Sequence, residues 1–90
     1  MRVIKEFLLN ERMTAPQTFY LPVGAEPIAV YNTPRGLMLQ VITSLAEHHT
    51  ELRTFKIYAA DETIYENKIR YIDNFESSEG RRHVLELCKD

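Results

Sequence analysis

Two breaks rich in proline and glycine fall within residues 19–42, FYLPVGAEPIAVYNTPRGLMLQVI, and cut that stretch into short apolar runs. The first break, Leu21-Pro22-Val23-Gly24-Ala25-Glu26-Pro27, holds two prolines that cannot donate to a β-ladder and a glycine free to take positive φ. A strand therefore ends at Leu21 and another starts near Ile28. The second break, Asn32-Thr33-Pro34-Arg35-Gly36, is compact and lies between residues 28–31 and 37–42, the pattern of a β-hairpin. Residues 37–42, LMLQVI, are apolar in both alternating phases except at Gln40, which predicts a central strand covered on two sides.

The remaining segments add strands to this hairpin. Residues 2–9 are β-branched and aromatic, with Ile4 and Leu8 in one phase and Val3, Phe7 and Leu9 in the other, so the pattern alone does not say which phase faces inward. Residues 10–16 are polar, end at Pro16 and predict a loop into a short strand, 17–21, with Phe19 and Leu21 inward. Residues 43–51 predict a long connection or one helical turn. In 52–59, Arg53, Phe55 and Ile57 alternate with Thr54, Lys56 and Tyr58, the pattern of a strand with one wet face. Residues 61–68 predict a loop or a single capped turn. Residues 69–75 predict a strand in which Ile72 and Phe75 share the core only if a bulge intervenes near Asp73-Asn74. After a turn at 77–80, residues 82–88 close the chain as a last strand, with Leu85 and Leu87 on one side. About seven short strands without helix-period sequence predict one all-β domain, residues 1–90, built as an antiparallel sandwich or a partly open barrel.

Composition narrows the functional classes. A hydrophobic fraction of 44% and a charged fraction of 27% fit a soluble globular domain, and a net charge of −2 supplies no general basic footprint for nucleic acid. The single cysteine, Cys88, cannot form an internal disulfide, and no apolar run reaches membrane length, so a cytoplasmic, non-membrane protein is expected.

Glu47, His48, His49 and Glu51 have metal-ligating chemistry, but adjacent histidines on an extended or turn backbone diverge, and they are read as solvated loop residues. His83 stands beside Leu85 with no serine or cysteine placed near it as a nucleophile, and Cys88 reads as a small apolar filler. No phosphate cradle or catalytic motif is present, so no catalytic residue, metal or cofactor is expected. The candidate binding residues are Tyr20, Tyr31 and Tyr58, each on the presumed outer phase of a strand, with Arg35 in the hairpin turn and Lys56 beside Tyr58. Aromatic and cationic side chains together suit a protein interface or a base-stacking surface.

Phe19-x-Leu21-Pro22-x-Gly24-Ala25, Ile28-x-Val30, Leu37-x-Leu39, Arg53-Thr54-Phe55-x-Ile57, Tyr71-Ile72-x-x-Phe75 and His83-Val84-x-Glu86 occur in that order. With this spacing the chain resembles a family of small uncharacterised proteins encoded by bacteriophages and prophages, and departs from it in a longer, more charged connection at 61–68. The resemblance implies a non-enzymatic phage accessory protein that binds and modulates a host or defence-system protein in the host cell cytoplasm. The alternatives are a protein that sequesters a small ligand, a nucleotide, or a binder of single-stranded nucleic acid, which the net charge disfavours. A homodimer is expected as well, because residues 37–42 are apolar on both faces and a single pair of sheets struggles to cover Leu8, Met38, Ile42 and Leu52 besides the main core.

Overall fold

The predicted hairpin closes where Thr33 meets Gly36: strand β3 (Glu26–Thr33) turns back into β4 (Gly36–Ser44). Gly36 adopts a φ of +129°, which side-chain-bearing residues avoid, and the Thr33 hydroxyl donates to the Gly36 carbonyl at 2.8 Å while accepting from Arg35 N–H at 3.1 Å. The computed structural model describes residues 1–89 and places this hairpin among seven strands. The others are β1 (Arg2–Leu9), β2 (Gln17–Pro22), β5 (Thr50–Ala59), β6 (Ile69–Ser77) and β7 (Gly80–Leu87). All pairings are antiparallel, in a three-stranded sheet of order β1-β4-β3 and a four-stranded sheet of order β2-β5-β7-β6. The protein is thus all-β, two packed sheets that do not close into a barrel.

The core lies between the sheets. Leu9, Val30, Leu37, Leu39 and Val41 face Leu21, Phe55, Ile57, Phe75 and Val84, with Phe7, Phe19 and Ile72 packed against them. Directly opposed residues share a face, so pairing of Phe7 with Leu39 and of Ile4 with Ile42 resolves the phase of β1. Phe7 turns inward, and Ile4 and Leu8 turn out.

The two sheets are tied edge to edge along one side, through β3 and β6. Between Tyr71 and Asp73 the register of β6 shifts against β7, one residue earlier than the bulge expected at Asp73-Asn74, which makes Ile72 the extra residue. The shifted backbone lets the Asp73 carboxylate accept the Val30 N–H at 2.9 Å, and Asn32 Nδ2 reaches the Glu76 carbonyl at 3.4 Å. Edge strands β3 and β6 are thereby tied together. On the opposite side β1 and β2 stay unpaired with each other. There the buried Gln17 amide imitates one ladder rung, accepting Asn10 N–H at 3.0 Å and donating to the Asn10 carbonyl at 2.8 Å.

Three sequence expectations change. The long connection at 43–51 shrinks, because β4 runs to Ser44 and β5 begins at Thr50, with Thr43 buried in the ladder. Pro27 lies within β3 rather than ahead of it, next to a second bulge between Pro27 and Ala29 that interrupts the ladder. The outer face of β5 is not uniformly wet, and Tyr58 is only 2% exposed. The reason is topological: β5 and β6 both run antiparallel to β7, so residues 60–68 must cross β7 on the outer face to start β6. That crossing segment covers Tyr58, whose hydroxyl donates to Glu66, while Lys56 lies 4.7 Å from the Tyr58 ring centre and within 3.7 Å of Glu62.

Candidate functional site

The outer face of the three-stranded sheet carries a cluster of side chains of the kind found in a core. Ile4 and Leu8 on β1 stand beside Ile42 and Met38 on β4, and Tyr31 on β3 flanks Met38. Ile4 is 58% exposed, Leu8 49% and Tyr31 41%, whereas Met38 is buried beneath its neighbours. The two-sided cover expected for residues 37–42 therefore holds fully on the core side but only in part outside, where Ile42 and Gln40 are half-buried. Soluble proteins seldom leave so many contiguous apolar side chains in water without a use for them.

Polar groups sit at the middle of this face. Glu6 accepts a hydrogen bond from the Tyr31 hydroxyl and another from Gln40 Nε2 at 3.3 Å, so one residue from each strand meets there. The Glu6 carboxylate holds the Tyr31 phenol above its ordinary pKa, first through that hydrogen bond and then through burial. Arg2 and Glu26 form an exposed ion pair at one end of the face, at 3.2 Å. A shallow, mostly apolar groove lined by Arg2, Val3, Ile4 and Ile42 lies over the pairing of β1 with β4.

The five residues expected to bind do not converge. Tyr31 lies on the face just described, and Arg35 borders its Leu8 end in the hairpin turn. Lys56 and Tyr58 meet each other, but on the outer face of the other sheet and beneath residues 60–68, so the Tyr58 ring is closed off. Tyr20 is 68% exposed on β2, opposite Leu52, on that same outer face but at the far end of β5. Leu8 was expected among the apolar residues that one pair of sheets struggles to cover, but Ile4 and Glu6 were missed as surface residues, since both phases of β1 are apolar. The only hint was Glu6 falling in phase with Ile4 and Leu8.

A second feature lies at one end of the sandwich, where an open cleft of about 400 Å³ is lined by Gly24, Glu51, Arg53, Arg70, Glu86 and Cys88 among others. Arg53 grips the buried Glu86 with Nε and, at 2.9 Å, with Nη2, and gives Nη1 to the Ala25 carbonyl at 2.9 Å. Glu51 lies 3.7 Å from Arg53 and Arg70 3.8 Å from Glu86. The guanidinium is thus already satisfied by protein groups, and no aromatic side chain lines the cleft to stack a base. Cys88 is exposed at its mouth rather than filling apolar space, because β7 ends at Leu87.

The histidines lie apart from both features. His49 N–H is capped by the Glu47 carboxylate at 2.8 Å in the turn after β4, and His83 Nδ1 shares a 2.9 Å hydrogen bond with the Tyr71 hydroxyl. Among the described residues no group of three or more histidine, cysteine or acidic side chains is placed to hold a metal ion, and no helix is long and apolar enough to cross a membrane. Comparison with protein families, with curated proteins and with solved structures finds no match.

Proposed function

We propose that this chain is a non-enzymatic binding module that works as a homodimer and engages a partner protein through the outer face of its three-stranded sheet. The reading takes its setting from the resemblance to phage-encoded proteins: the partner is a host or defence-system protein, met in the host cytoplasm. The observation that supports it is the row Ile4, Leu8 and Tyr31, left open beside a polar centre whose hydrogen bonds are already made. Ile4 and Leu8 are each about half exposed, so a partner covering them recovers roughly half of the ~1.5–3 kcal/mol that full burial of such a side chain provides. An aromatic edge and aliphatic anchors around a fixed polar group are what protein interfaces concentrate at their centres.

The test places a photo-crosslinking amino acid at Leu8, and in a separate protein at Tyr20 on the opposite sheet, during expression in a bacterial host. A covalent adduct is expected from position 8 and not from position 20. The trapped protein is then purified and titrated by calorimetry, where Leu8→Arg is expected to lower affinity at least ~10-fold. Adducts confined to position 20, or unchanged affinity for Leu8→Arg, would overturn the assignment of the face.

A further inference from the structure

We infer that two copies join through the unpaired edge of β1, paired antiparallel about a two-fold axis at Ile4. The inference rests on the homodimer of the proposed reading and specifies how it is built. Strand β1 pairs with β4 on one side and with nothing on the other, and no proline, glycine or bulge interrupts it. The Met1 carbonyl accepts Leu45 N–H at 2.9 Å, so the ladder bonds of the odd-numbered residues are directed at β4. Arg2, Ile4, Glu6 and Leu8 therefore present their N–H and carbonyl groups to the free edge.

Charge selects the register. A two-fold perpendicular to the sheet keeps each face on its own side, so only residues in the same phase can stand opposite one another. Centring on Lys5 sets Lys5 against its own copy, and centring on Glu6 does the same to Glu6; both oppose like charges. Centring on Ile4 sets Ile4 against Ile4 and Arg2 against Glu6 twice over, with each of these pairs exchanging both backbone bonds. Arg2 exchanges its exposed ion pair with Glu26 for Glu6, which keeps Tyr31 and Gln40 on its other side. Val3 then stands opposite Lys5, an exposed cation that points to the core side of β1 and forms no ion pair among the described residues. The result is one six-stranded sheet, β3-β4-β1-β1-β4-β3, whose outer face doubles the candidate binding surface.

Sedimentation of wild type, Arg2→Glu, Glu6→Arg and the double variant tests the register. Each single variant makes two like-charge contacts and is expected to weaken the dimer about 10-fold, while the double variant restores it to within ~3-fold of wild type. A second measurement uses Cys88→Ser protein: Val3→Cys/Lys5→Cys is expected to form disulfide-linked dimers on oxidation, and either cysteine alone is not. A mass of 10.5 kDa at every concentration, no rescue by the double variant, or linkage through Lys5→Cys alone overturns the inference. The proposed function fails separately, because Leu8 lies outside the paired segment and its partner contact is read whether or not the dimer forms.

Discussion

Removing the Arg53 guanidinium should be among the most damaging changes this fold can suffer. Glu86 has a side chain only 6% exposed, and Arg53, itself 13% exposed, supplies its two best hydrogen bonds. In Arg53→Leu the carboxylate keeps Arg70 alone, at 3.8 Å and half in solvent, and the Ala25 carbonyl loses its donor. Stranding one member of a buried pair costs about 3–5 kcal/mol. A domain of this length has about 5–13 kcal/mol in total. With a urea dependence of about 1 kcal/mol per molar, the unfolding midpoint should fall by about 3 M or more, and a marginal fold would be lost outright. The companion variant Arg53→Leu/Glu86→Leu removes both charges and should regain most of the loss, ending within about 1–2 kcal/mol of wild type. Equilibrium urea denaturation followed by circular dichroism measures both. A loss below ~1 kcal/mol for the single variant, or a double variant no better than the single, would refute the argument that the pair is structurally interdependent.

Gln17→Leu should destabilise by about 1 kcal/mol in the same assay, because both backbone groups of Asn10 lose their part-buried hydrogen bonds to the buried Gln17 amide. Gly36→Ala should cost about 1–2 kcal/mol and loosen Leu8, since φ is +129° and the new methyl would lie 3.1 Å from Leu8 Cδ1. Burial, then the hydrogen bond to Glu66, raise the Tyr58 pKa well above its ordinary 10. A raised folded pKa means the contribution is intact below pH ~10 and is lost as pH climbs towards the folded value, so the melting temperature should drop above about pH 10, and less steeply in Tyr58→Phe.

The strand count was legible because prolines or glycines mark four of the six connections, and polar runs mark the other two, 45–49 and 60–68. Pro22, Gly24, Gly36 and Gly80 all mark such points, and the latter three take positive φ. Pairing order was not legible: nothing local tells β1 to join β4, or sends residues 60–68 over β7. That crossing is why Tyr58, which alternates correctly with Ile57, is nevertheless closed off. Of the candidate site, Tyr31 could be named from its phase and Leu8 from the surplus of apolar side chains, but Ile4 could not, since Val3, Phe7 and Leu9 compete for the core with equal hydrophobicity. Arg53 carried a readable signal that went unused: a cation in phase with Phe55 and Ile57 demands a buried counter-charge, and Glu86 is the acid that the last strand places in phase with Val84.

Strands β3 and β4, like β6 and β7, are neighbours in sequence and can zip as they emerge from a ribosome. Strands β1 and β2 cannot, for Leu9 must wait for Leu37, Arg2 for Ser44 and Gln17 for Phe55. The two earliest strands, like β5 awaiting β7, dock only across long stretches of chain, so closing those loops should limit the rate of folding. Until β4 is made, Val3, Ile4, Phe7, Leu8 and Leu9 travel uncovered in a single segment. Lys5 and Glu6 at its centre then act as gatekeepers, holding the nascent strand in solution while its lawful partner is still being translated.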